Sequence, residues 1–158
     1  MIDCIPALPI AERPSSVNRI DARPSQLATL RGFATMAKMS ASTVAVIDDD
    51  DDVGDVLGGL LEAMGYEVAT YRSGPEFLAD TRKDRLACLI VDQNMPKMKG
   101  LDMIAQLSEL GINIPALLIT GAHDPEIERR AASLGVMTVL EKPMSHHELL
   151  RFISISVG

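Results

Sequence analysis

Cysteine is scarce in this 158-residue chain, and long apolar runs and an excess of basic charge are missing. Its two cysteines, Cys4 and Cys88, are too few for a disulfide framework, and Cys88 lies inside the apolar run 86–91. A reducing, cytoplasmic setting is expected. No apolar stretch approaches the ~20 residues that span a bilayer, and Asp3 stands where a secretory leader would carry Lys or Arg. Neither membrane association nor export is expected. With 15 Lys and Arg against 22 Asp and Glu, the net charge of −7 argues against a surface built for phosphate backbones, so no direct DNA binding is expected. What remains is 47% apolar and 23% charged residues, which supply one globular core and exclude collagen-like and disordered classes.

Residues 1–42 hold four of the nine prolines, many Ser and Thr, and no sustained periodicity, which predicts a flexible extension. Its five basic and three acidic residues leave −9 for the rest of the chain. Met36 and Met39 stand just before the first strand-like run, so an internal translation start is an alternative reading of this stretch. A folded domain is expected over 43–158.

From Thr43 onward, short apolar runs alternate with helix-length amphipathic segments, the pattern of repeated β-α units on a parallel sheet. The runs predict strands at 43–47, 67–71, 86–91, 115–120 and 136–140. Between and after them, helices are predicted at 53–64, 75–81, 101–110, 125–134 and 145–156. Gly65, Gly111 and Gly135 each stand where a helix C′ residue is expected, and Ser73, Asp124 and Ser145 stand where caps are expected. Gly58 and Gly59 interrupt the first helix at a cost of ~1 kcal/mol each, so it is expected to be the least stable.

In an open parallel α/β sheet, the residues that follow the strands gather along one edge, where ligands bind. Here Asp48 and Asp49 follow the first predicted strand, Asp92 the third, Thr120 ends the fourth, and Lys142 follows the fifth. Crowded carboxylates repel and favour protonation unless a cation intervenes, and an all-oxygen donor set suits Mg2+. Opposite such a metal, a lysine and a hydroxyl fit an anion, most simply a phosphoryl group. A carboxylate at such a rim can itself be the nucleophile and become an aspartyl-phosphate.

These residues, in this order, resemble the receiver domain of bacterial two-component response regulators. The resemblance is carried by the Asp48-Asp49 pair, Asp92-x-x-Met95-Pro96-x-x-x-Gly100, Thr120-Gly121 and Lys142-Pro143, and covers about residues 43–157. It implies a doubly wound, flavodoxin-like (βα)5 fold with strand order 2-1-3-4-5. It also implies a phospho-acceptor, Asp92, charged by a sensor histidine kinase or phosphotransfer protein. Asp49, Asp92 and the backbone carbonyl of Asn94 would hold Mg2+, with Asp48 acting through metal-bound water. Thr120 and Lys142 would hold the phosphoryl oxygens, and the Lys142-Pro143 bond would be cis. Receivers commonly carry Tyr or Phe three residues before the lysine, where this chain has Val139, so the usual aromatic readout is not expected.

After Lys142 the sequence leaves room for one helix, so a stand-alone signalling domain, not a metabolic enzyme, is expected. Its output would be a downstream protein partner or a phosphorylation-dependent homodimer. The surplus of apolar residues over 149–157 motivates that interface. Two other readings stand beside this one. A pseudo-receiver would bind partners without phosphorylation. A haloacid-dehalogenase-like phosphatase would use Asp48-x-Asp50, Thr120 and Lys142, but it gives Asp92 no role and lacks a later acidic motif beyond Glu148. An EF-hand fails because Glu is absent from the twelfth loop position, occupied by Gly59. His146 and His147 are adjacent and face different ways on a helix, which disfavours shared metal ligation. His123 is expected in the loop beside Thr120. Cys88 reads as a buried small hydrophobe, and Met95, Met98 and Met103 as packing.

Overall fold

The computed structural model describes residues 42–158, so the expectations for the first 41 residues, including an internal start at Met36 or Met39, lie outside the described residues. Five strands, β1 (Thr43–Ile47), β2 (Glu67–Tyr71), β3 (Leu86–Asp92), β4 (Ala116–Thr120) and β5 (Thr138–Glu141), form one parallel sheet in the order β2-β1-β3-β4-β5. They are linked and followed by helices α1 (Asp51–Ala63), α2 (Gly74–Ala79), α3 (Gly100–Glu109), α4 (Pro125–Ser133) and α5 (His146–Val157). This is the expected doubly wound (βα)5 architecture.

The side-chain period of two sorts the apolar strands between two cores. Val44 and Val46 of β1, Cys88 and Ile90 of β3, and Leu117 and Ile119 of β4 pack with Leu57 and Leu61 of α1 and Leu149, Phe152 and Ile153 of α5. The intervening residues Ala45, Ile47, Leu89, Val91, Ala116 and Leu118 pack on the other face with Phe77 of α2, several residues of α3, and Ala131 of α4. Both faces are covered, which is why β1, β3 and β4 read as unbroken apolar runs. Cys88 is fully buried, and burial pushes its thiol up to about 11, so it behaves as the inert hydrophobe expected.

Local chemistry sets the ends of the elements. Asp50 caps α1 by accepting the Asp52 amide at 3.0 Å, so that helix begins two residues earlier than predicted. Ser73 and Asp124 cap α2 and α4 as expected, through the amides of Glu76 and Glu126. Ser145 occupies the cap position of α5 but makes no side-chain bond there. Gly65, Gly111 and Gly135 take φ values of 91°, 74° and 76°, the left-handed turn expected of C′ residues. β5 starts two residues later than predicted because Val136 is still engaged in the end of α4, its amide donating to the Ala131 carbonyl at 3.0 Å.

The predicted end of α2 at residue 81 is overridden by a polar knot. Asp80 accepts the Tyr71 hydroxyl at 2.8 Å, the Arg82 amide at 2.8 Å and the Arg82 guanidinium at 2.9 Å. Lys83 reaches the Leu78 carbonyl at 2.6 Å and also the Asp80 carbonyl. The helix therefore stops at Ala79, and a 3-10 turn at Lys83–Arg85 leads into β3.

Candidate functional site

Strand register places the predicted residues at one edge. Ile47 pairs with Val91, so Asp48 emerges beside Asp92, and Asp92 is itself the last residue of β3. Three backbone bonds lock this rim: the Asp48 amide donates to the Tyr71 carbonyl at 3.1 Å, Gln93 to Ile119 at 2.8 Å, and Lys142 to Thr120 at 2.8 Å. The last of these sets Lys142 directly beside the end of β4. The Lys142-Pro143 bond is cis, as the resemblance implied.

The side chains converge on a charged centre. Lys142 Nζ lies 3.3 Å from Asp92 Oδ1 and 3.6 Å from Asp48 Oδ2. Asp48 and Asp92 are 5% and 4% exposed, while Asp49 is exposed beside them. Carboxylate oxygens of Asp48, Asp49 and Asp92 all lie within 4.8 Å of one another. Asp48 Oδ1 accepts the Asp50 amide at 2.9 Å, whereas Asp48 Oδ2 and Asp92 Oδ1, although buried, make no hydrogen bond and face only the Lys142 ammonium. Burial, and then the neighbouring Asp92 and Asp49 charges, hold the Asp48 carboxyl above its ordinary range against the opposing Asp50 amide and Lys142. Burial works to lower the Lys142 ammonium, but Asp48 and Asp92 outweigh it and hold it above its usual value.

These oxygens, three crowded carboxylates against one ammonium, test the donor set for a metal. One ammonium leaves part of the negative charge of three crowded carboxylates uncompensated, and a divalent cation that takes only oxygen ligands relieves it. Asp48, Asp49 and Asp92 fit Mg2+ on that ground. Thr120 is 4% exposed, and its hydroxyl donates to the Ala122 carbonyl at 3.1 Å, which ties the side chain to the loop that follows β4. Asn94 is exposed, and its amide Nδ2 stands 3.5 Å from where a Cβ of Gly121 would be, so it lies over that loop.

Val139 lies on β5 opposite Leu118. A cavity of about 190 Å3 remains open there, bordered by Thr120, His123, Ile127 and Val139. His123 sits at its edge and pairs with Glu128 through Nδ1 at 3.0 Å. His146 and His147 open α5, and neither joins the acidic cluster. Gly100 belongs to the motif read from the sequence, whereas Gln93 was not singled out there. Gly100 is required by contact, because a Cβ there would lie 2.6 Å from the Asp92 carbonyl oxygen. Gln93, only 7% exposed, sends its side-chain oxygen to the Leu101 amide at 3.0 Å. The visible signal was an amide residue immediately after the aspartate that ends β3.

The response regulator receiver domain model matches residues 44–154. The response regulator protein TodT of Pseudomonas putida is 37% identical over 110 residues, covering 70% of this chain and 48% of TodT. The transcriptional regulatory protein FixJ of Rhizobium meliloti is 32% identical over 115 residues, covering 73% of this chain and 56% of FixJ. Among solved structures, the chemotaxis protein CheY4 of Vibrio cholerae is 28% identical with a TM-score of 0.67, over 74% of this chain and 99% of that one. The chain thus spans about half the length of the curated relatives it matches. A parallel sheet of this strand order, an acidic rim with an apposed lysine, and a family match across the whole of that sheet have one common reading: the chain belongs to the response regulator receiver domain family.

Proposed function

We propose that this chain is a phospho-accepting switch in which Asp92 takes a phosphoryl group from a phosphohistidine of a sensor kinase or phosphotransfer protein. The observation that carries the reading is the buried Asp92 carboxylate, with Lys142 Nζ 3.3 Å from its Oδ1 and the Asp48 and Asp49 carboxylates beside it. An Asp92 oxygen forms the new bond to phosphorus while the phosphorus–nitrogen bond breaks and its electron pair returns to the imidazole. Asp49, Asp92 and the Asn94 carbonyl would hold Mg2+, with Asp48 acting through a water, and the ion would supply charge neutralisation for the incoming phosphoryl oxygens. Lys142 sits where it balances the remaining negative charge. Thr120 exchanges its bond to Ala122 for one to a phosphoryl oxygen, and that exchange moves the loop carrying His123.

Signalling then proceeds through partner binding or self-association, with the domain acting as a switch and not as a metabolic enzyme. TodT and FixJ are about twice as long as the matched segment, and the name of FixJ is that of a transcriptional regulator. A stand-alone output and an output through an additional DNA-binding segment are therefore distinguished by what the phosphorylated protein binds. Among the described residues, no helix is long and apolar enough to cross a membrane.

Transfer from an autophosphorylated histidine kinase or phosphotransfer protein tests the reading. Label is expected to move to the chain only with Mg2+ present and to be lost in Asp92→Asn. Label retained in Asp92→Asn and lost in Asp48→Asn would transfer the chemistry to Asp48, as in the phosphatase reading. A chain that no donor labels would be a pseudo-receiver.

A further inference from the structure

Helix α3 starts without a cap of its own. Lys99 precedes it in extended backbone and makes no side-chain bond to it, so the first helical amides need acceptors from elsewhere. Gln93 supplies two. Its carbonyl accepts the Gly100 amide at 3.2 Å, and its side-chain Oε1 accepts the Leu101 amide at 3.0 Å. The following amides, of Asp102 and Met103, both turn back to the Lys99 carbonyl at 3.1 Å. Gln93 is itself held by its own amide on the Ile119 carbonyl of β4 at 2.8 Å.

An ordinary cap would be a Ser, Thr, Asp or Asn at position 99, and it would leave the end of β3 free of the helix. Here the cap comes instead from the residue between Asp92 and Asn94. The segment 94–99 is closed into a ring by Gln93 at one end and Gly100 and Leu101 at the other. Within that ring Lys97 holds a φ of 40°, a left-handed conformation that a non-glycine residue keeps only under constraint. The closeness of Gly100 to the Asp92 carbonyl leaves the helix start no room to shift toward the strand. Mg2+ demands near-ideal octahedral geometry, so it tolerates little misplacement of its oxygen ligands.

We infer that Gln93 is a positioning residue for the metal site: its buried side chain ties the start of α3 to the end of β3, so that the Asp92 carboxylate and the Asn94 carbonyl are presented to Mg2+ together. The inference rests on the metal ligands assigned under the proposed function and adds the residue that orients them. A group that orients metal ligands without touching the ion typically changes affinity by about 10–100-fold when replaced.

The test is Mg2+ affinity by calorimetry, together with amide exchange at Leu101, on the full chain. Gln93→Met, of similar volume but without the acceptor, is expected to bind Mg2+ about tenfold more weakly and to exchange faster at Leu101. Its phosphorylation by acetyl phosphate is expected to return to the wild-type rate when Mg2+ is raised in proportion. Gln93→Glu keeps an acceptor oxygen, so it is expected to retain Leu101 protection and to bind Mg2+ no more weakly than wild type. Wild-type Mg2+ affinity in Gln93→Met, or an affinity loss in Gln93→Glu equal to that in Gln93→Met, would overturn the inference. A wild-type chain that binds no Mg2+ would overturn the metal assignment itself, and this inference with it.

Discussion

Asp48, Asp92 and Lys142 show how little of a residue's behaviour lies in its own chemistry. Asp50–Asp52 carry the same side chain as Asp48, yet Asp50 uses its carboxylate as a helix cap, and Asp51 pairs with the exposed Arg72 at 2.7 Å. An exposed pair of that kind contributes at most ~1 kcal/mol. Asp48 is different because the register of β1 buries it against two other carboxylates. Tyr71 makes the same point away from the site. Burial, and then the Asp80 carboxylate that accepts its hydroxyl, push the phenol from 10.0 up to about 12. The native state therefore keeps that proton where the unfolded chain has lost it. The stabilisation is complete below pH 10 and disappears as pH rises from 10 to 12, a loss of about 2–3 kcal/mol. Denaturant titrations across this window should show the loss in wild type and not in Tyr71→Phe, which should also be less stable at neutral pH by about 1 kcal/mol.

At the scale of elements, the strands were the most legible part of the sequence. β1 and β2 run over the residues predicted; β1 announces itself as a short apolar block because it is covered on both faces, whereas the edge strand β2 reads from Val, Thr and Tyr between turn residues. Helix ends were less legible, since they depend on partners distant in sequence. Asp80 ends α2 by way of Tyr71, nine residues earlier, and Gln93 caps α3 from eight residues away. Glycine has two opposite meanings in these helices. Nothing lies within 4 Å of a Cβ at Gly59, so Gly59→Ala should stabilise the chain by about 1 kcal/mol, raising the melting temperature by about 4 °C. Gly100→Ala would press a methyl against the Asp92 carbonyl and the Leu118 and Val91 side chains, and should cost about 1–3 kcal/mol. Thermal melts of the two variants should move in opposite directions.

For the whole molecule, the topology does the work of assembling the site. Asp48, Asp92, Thr120 and Lys142 come from four strand ends spread over 95 positions of sequence, and parallel pairing brings all four to one rim. That much was legible because each strand end carried a chemically distinctive residue. The open space beside Thr120 was not, because Val139 signals only the absence of an aromatic and says nothing of what His123 and Ile127 leave unfilled. The fold also explains why the charge repulsion at the rim is tolerated: two apolar cores, one on each face of the sheet, hold the strand ends in place.

The most direct measurement of the central claim is intact mass and peptide mapping after incubation with Mg2+ and acetyl phosphate, for wild type, Asp92→Asn and Asp48→Asn. One phosphoryl adduct on Asp92 is predicted in wild type, absent without Mg2+ and absent in Asp92→Asn. An adduct on Asp48, or an adduct that survives Asp92→Asn, would contradict the account.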